Sequence, residues 1–98
     1  FSGEVAEYIA RFQRGDRVSV PSVYKMIAEL ADSQSIFLTE VEVYERGNVL
    51  RADLYFSCRG SSFILRNYRA SDSIALATYY DVPIKMKKKL FDKLASQV

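Results

Sequence analysis

The 98-residue chain has no histidine and a single cysteine, Cys58. Without histidine there is no Ser-His-Asp or Cys-His triad, no imidazole acid–base pair and no imidazole zinc ligand. Hydrolytic chemistry is left to carboxylates, tyrosine, lysine, or a metal held by oxygen ligands. One cysteine allows no intramolecular disulfide and no cysteine zinc site. Cys58 lies in an apolar-alternating stretch and reads as a buried, inert thiol. This agrees with a reducing, cytoplasmic setting. No apolar run approaches the roughly 20 residues that a membrane-spanning helix needs, so no membrane partner is expected. The chain opens on Phe1 rather than methionine and shows no signal-peptide pattern.

At 11.2 kDa the chain is one small domain. Hydrophobic residues make up 49% and charged residues 27%, which excludes a disordered or low-complexity segment. The net charge of +2 is unevenly spread along the sequence. Up to Glu45 there are four basic residues against eight acidic ones, and from Arg46 onward ten against four. Such a chain either shows a basic side to an anion, or mixes its two halves on folding.

Ser2 is placed to cap a first helix, Gly3 to Arg14, with Val5, Ile9 and Phe12 on one face. A second helix is expected from about Pro21, with Val23, Met26, Ile27 and Leu30 as its apolar stripe. Period-two alternation follows. Ile36–Glu45 sets Val41 and Val43 against Glu40 and Glu42; Val49–Cys58 sets Ala52, Leu54 and Phe56 against Arg51, Asp53 and Tyr55. Turns at Arg46-Gly47-Asn48 and Arg59-Gly60-Ser61-Ser62 lead to a third strand, Phe63–Tyr68. A helix from Ser71 to Tyr80, capped by Ser71 or Asp72, a short strand at Val82-Pro83-Ile84 and a last helix from Lys87 to Ser96, with Leu90, Phe91 and Leu94 inward, complete the chain. The class is α+β: an antiparallel meander with a βαβ-like C-terminal unit, helices packed on the sheet. Few strands are left to cover four helical faces. Further strands before Phe1, or a partner chain, are expected to cover them.

The run Arg69-Ala70-Ser71-Asp72-Ser73-Ile74-Ala75-Leu76-Ala77, followed by Val82-Pro83-Ile84, resembles the signature of the bifunctional nuclease (DNase/RNase) family. That signature is Arg-Pro-Ser-Asp-Ala-Ile-Ala-Leu-Ala, then Ala-Pro-Ile, and Arg69, Ser71, Asp72, Ile74, Leu76 and Pro83 match it. The resemblance covers nearly the whole chain. It implies a mixed α+β domain that opens with further strands, so that residues 1–98 read as one such domain without them. It also implies wedge-shaped homodimers with a groove, and cleavage of DNA and RNA. The sequence departs from the family at Ser19-Val20-Pro21, where Thr-His-Asp is usual, at Ala70 and Ser73, and at Lys85 and Met86. The lost histidine leaves two outcomes open, cutting and binding without cutting.

Arg69, Ser71 and Asp72 have a structural reading as a helix cap with a neighbouring ion pair, a cap contributing about 0.5–2 kcal/mol. The resemblance gives them a catalytic reading. Asp72 would hold a divalent metal, Mg²⁺ or Mn²⁺, or orient water, while Arg69 grips the scissile phosphate. Metal-dependent cleavage usually needs converging carboxylates; Asp53, Glu40 and Glu42 are candidates, and also read as a solvated strand face. Lys85, Lys87, Lys88, Lys89 and Lys93 form the densest basic cluster, joined by Arg66. Arg66, Lys85, Lys87, Lys88 and Lys89 are therefore the candidate DNA or RNA contacts, or else a solvated face. Tyr55, Tyr68, Tyr79 and Tyr80 could stack on bases, or sit at a core edge or an oligomer interface. The readings are a metal-dependent nuclease or a non-catalytic oligomeric module binding nucleic acid or protein. A small-ligand regulatory domain has no pocket signature in the sequence.

Overall fold

The computed structural model describes residues 3–96. They form α1 (Gly3–Gln13), α2 (Val23–Ser33), β1 (Ile36–Arg46), β2 (Val49–Cys58), β3 (Ser61–Arg69), α3 (Ala70–Tyr80), β4 (Ile84–Met86) and α4 (Lys88–Ala95). The expected Ser2 cap lies outside the described residues. The fold is α+β, with helices packed on a mixed sheet ordered β3-β2-β1-β4. No helix among the described residues is long and apolar enough to cross a membrane.

Two tight hairpins build the meander. Arg46 pairs with Val49 around Gly47-Asn48, and Cys58 with Ser61 around Arg59-Gly60. Arg59 and Gly60 both have positive φ, 50° and 85°, as a two-residue turn matching the strands' right-handed twist requires. Because Cys58 closes this hairpin at the strand end, it is half-buried rather than buried. β4 pairs with β1 in parallel, Val41 facing Ile84 and Val43 facing Met86. The β3–α3–β4 unit is thus a wide crossover, carried by α3 from one edge of the sheet to the other over β2 and β1.

Two bulges decide what faces the core. In β1 the register shifts between Leu38 and Glu40, so Leu38 and Val41 are both buried despite their odd spacing. The extra residue, Thr39, donates its hydroxyl to the Tyr55 carbonyl at 3.0 Å. The second shift lies between Ala52 and Leu54, opposite Arg66 and Asn67, and Asn67 takes a φ of 67°. This bulge turns the Asn67 N–H onto Asp53, 3.0 Å from the carboxylate. The Tyr44 hydroxyl (2.8 Å) and Arg66 Nη1 (3.2 Å) donate to the same group. Asp53 is only 4% exposed, not part of a solvated face, because these three donors close over it.

The core runs between Val41, Val43, Ala52, Leu54 and Phe56 of the sheet and Ala70, Ala75, Leu76 and Ala77 of α3. Alanines along α3 let the helix backbone come close to the strands. α1 docks on α3 through Val5 and Phe12. An edge-to-face aromatic cluster ties three helices together. Phe12 lies 5.8 Å from Tyr24 and 5.1 Å from Tyr79, and Tyr8 lies 5.5 Å from Tyr24. Tyr79 therefore serves the core. Arg17 completes the end of α3, donating from Nε to the Tyr79 carbonyl (2.6 Å) and from Nη2 to that of Thr78 (3.1 Å), which satisfies orphan helix carbonyls.

α2 starts one turn-step later than expected, at Val23, because the Ser22 hydroxyl accepts the Lys25 N–H at 3.0 Å and caps it. Its buried side is Tyr24 with half-buried Ala28 and Ala31, not the larger stripe. The small alanines permit close approach, and Tyr24 reaches the aromatic cluster. Val23, Met26, Ile27 and Leu30 are left exposed, Leu30 by 64%. In α4 only Leu90 is buried; Phe91 and Leu94 are exposed rather than inward.

Removing the Asp53 carboxylate strands two part-buried donors, the Tyr44 hydroxyl and the Asn67 N–H. Asp53→Ala is expected to lower unfolding free energy by about 2–4 kcal/mol, measured by urea denaturation. A loss below about 1 kcal/mol would show that Tyr44 and Asn67 find other partners. Tyr24, Tyr44, Tyr55 and Tyr80 all have phenols raised above the usual 10.0, chiefly by burial. The folded chain holds these protons more tightly than the unfolded one. Stability is accordingly intact below pH 10.0 and lost as pH rises past it, which urea midpoints followed into the alkaline range will test.

Candidate functional site

β3 passes into α3 without a loop. Arg69 is the N-cap residue, with no side-chain cap, and Ala70 is already helical. Ser71 and Asp72 sit inside the first turn, so neither caps the helix as expected. Instead Ser73 Oγ donates to the Arg69 carbonyl at 2.8 Å. Asp72 still lies where the helix dipole favours a negative charge.

The motif divides by face. Ala70, Ser71, Ser73, Ala75, Leu76 and Ala77 are buried, whereas Arg69 is exposed and Asp72 half-exposed. Arg69 Nε pairs with Asp72 at 3.4 Å, and Arg69 Nη2 donates to the buried Ser71 hydroxyl at 3.2 Å. Ser71 thus steers the guanidinium, and the chemistry open to a ligand belongs to Arg69 and Asp72.

Asp72 lines an apolar groove of about 350 Å³ between α2, α3 and the β2–β3 strands, together with Val23, Tyr24, Ile27, Leu65 and Tyr68. Tyr24 also lines a second groove, about 530 Å³, between α1 and α2 with Glu4, Tyr8 and Pro21. Burial raises the Tyr24 phenol, and the charges of Asp72 and Glu4 raise it further against the opposing effect of Arg69. Tyr24 is the site neighbour that sequence reasoning missed. The signal for it is Ala28 and Ala31 at i+4 and i+7, a second and smaller apolar face beside the obvious stripe. Ser19-Val20-Pro21 leads into this second groove; Ser19 is bound to Asp16 through its hydroxyl.

The other carboxylates do not join Asp72. Asp72 shares its groove with Leu54 and Phe56, which face the helices. Glu40, Glu42 and Asp53 alternate with the core positions of β1 and β2 and so lie across the sheet. Each has a partner: Lys85 Nζ at 2.9 Å for Glu40, the Tyr55 hydroxyl at 3.4 Å for Glu42, and the three donors for Asp53. Among the described residues no group of three or more Asp, Glu or Cys is placed to hold a metal. Mg²⁺ commonly keeps several waters and takes one or two carboxylates plus substrate phosphates, so this groove, whose lining among the described residues holds Asp72 as its one carboxylate, would hold such an ion only jointly with a substrate.

Arg66 does not join the lysine cluster, because β3 and β4 are opposite edges of the sheet. Arg66 and Lys85 are paired with Asp53 and Glu40, and the Glu40 bond raises the Lys85 ammonium above its usual value. Lys87 lies 5.0 Å over the Tyr44 ring. Lys87 and Lys89, but not Lys88, line a cavity between α4 and the β1–β2 hairpin with Tyr44, Glu45, Gly47, Leu90 and Lys93.

The profile of a family described as the bifunctional nuclease domain matches residues 2–98. A search of curated proteins gives no significant match.

The division of the motif is testable. Asp72→Asn is expected to change unfolding free energy by less than about 1 kcal/mol, since it removes only an exposed ion pair. Ala75→Leu, at a fully buried position, is expected to cost about 1–3 kcal/mol through overpacking. Urea denaturation of both variants checks this.

Proposed function

Because the chain belongs to the bifunctional nuclease domain family, we propose that it hydrolyses phosphodiester bonds of DNA and RNA, with Asp72 and Arg69 at the reacting phosphate. The supporting observation is that the family's signature exposes these two side chains as a pair, with Asp72 lining a groove. The guanidinium fork of Arg69 matches a phosphate bidentately and is held in place by Ser71. A divalent ion, Mg²⁺ or Mn²⁺, would act as a Lewis acid on the phosphoryl oxygen. Asp72 would hold that ion together with the substrate, and its departure from Arg69 leaves the guanidinium free for phosphate. Tyr24 lines the same groove as Asp72, and burial raises its phenol above the usual value.

The second reading is a non-catalytic module that binds nucleic acid or protein. The absence of histidine and of a carboxylate cluster among the described residues favours it. Arg66, Lys85, Lys87, Lys88 and Lys89 would then make phosphate contacts that weaken steeply with salt. In either reading we place the protein in the cytoplasm, consistent with the free thiol of Cys58.

Both readings include a homodimer. Val23 and Ile27 of α2 meet Leu65 and Tyr68 of β3 in one exposed apolar surface, along a sheet edge that is unpaired among the described residues. A second copy pairing along the β3 edge would cover Leu65 and Tyr68 and leave Arg69 and Asp72 open to substrate. Light scattering should then give twice the 11.2 kDa chain mass, and Leu65→Glu should give the single mass.

With Mg²⁺ or Mn²⁺ the purified protein is expected to degrade single-stranded DNA or RNA, and Asp72→Ala to lower the rate about 100-fold or more. Folded wild type that leaves both substrates intact would eliminate the catalytic reading. Salt-sensitive filter binding in that case would leave the second reading standing.

A further inference from the structure

The cavity between α4 and the β1–β2 hairpin, about 330 Å³, carries an unusual charge count. Three ammonium groups, Lys87, Lys89 and Lys93, line it against one carboxylate, Glu45. Lys93 already neutralises Glu45, reaching both of its oxygens at 2.8 and 2.9 Å. Two positive charges are left over. Lys87 is fixed rather than free. Its backbone N–H donates to the Val43 carbonyl at 3.0 Å, and its ammonium lies over the ring of Tyr44, whose hydroxyl is held by Asp53. Lys89 has no ion pair among the described residues. A concave wall with one sign of excess charge concentrates the field and selects a compact anion.

We propose that this cavity takes the terminal phosphomonoester of a nucleic-acid strand, which makes strands ending in phosphate the preferred ligands. The inference rests on the nucleic-acid reading above and adds to it which part of the strand is recognised, and where. The charge count separates a terminal from an internal phosphate. A phosphomonoester carries about 1.5 to 2 negative charges at neutral pH, matching the two uncompensated lysines, whereas a backbone diester carries one.

The test is fluorescence anisotropy with one labelled single strand in three forms: 5′-phosphorylated, 3′-phosphorylated and unphosphorylated, in EDTA so that nothing is cut. One phosphorylated form is expected to bind about tenfold more tightly than the unphosphorylated strand, the effect of one good charge-assisted contact. Lys87→Gln and Lys89→Gln should each remove most of that gain. Lys25→Gln, on α2 and outside the cavity, should keep it. Circular dichroism of each variant controls for folding. Equal binding of all three strands overturns this inference and leaves the nucleic-acid reading in place. A gain that survives both cavity substitutions overturns the assigned site. No binding of any strand overturns the nucleic-acid reading and this inference with it.

Discussion

The close approach of α3 to the sheet is the contact on which the rest of the molecule depends. Ala70, Ala75 and Ala77 add almost no side-chain bulk, so the helix sits tightly over Val41, Ala52 and Leu54. α1 then packs on the far side of α3, α2 joins through Tyr24, and Arg17 closes the C-terminal end of α3 with two hydrogen bonds. The same helix carries the chain across the sheet so that β4 can pair with β1. A larger residue on its inner face would push away the sheet, and with it two other helices.

This packing requirement accounts for most of the family signature. Six of its positions, from Ala70 to Ala77, are buried. The motif is mainly a packing code, and only Arg69 and Asp72 remain for chemistry. Their geometry follows from the missing loop between β3 and α3. With the strand running straight into the helix, Arg69 is forced to the first turn, where it meets both Asp72 and the buried Ser71.

The sheet also keeps two charged regions apart. Asp72 faces the helix side, in an apolar groove. Glu40, Glu42 and Asp53 occupy the other side, each already partnered. The lysines divide as well. Lys85 is spent on Glu40 and Lys93 on Glu45, while Lys87 and Lys89 stay available at the hairpin end. A basic stretch that looks uniform in one dimension is therefore a small number of free charges in a defined place.

Local rules made much of the fold legible. Period-two alternation marked β1 and β2, short glycine-bearing turns marked the hairpins, and helical spacing marked all four helices, because each signal is carried by residues a few positions apart. The family signature, contiguous from Arg69 to Ala77, was equally plain. What escaped depends on competition between distant parts. The larger stripe of α2 lost its place in the core to Tyr24 because the sheet was already occupied by α3. Asp53 is buried because a bulge in a different strand presents the Asn67 N–H to it. The sequence by itself determined the order of the elements and the residues of the motif, although β4 runs Ile84–Met86 and not Val82–Ile84. Only the tertiary structure decided which faces are covered, which carboxylates can meet and which lysines remain unpaired, since those outcomes turn on contacts between residues far apart in the chain.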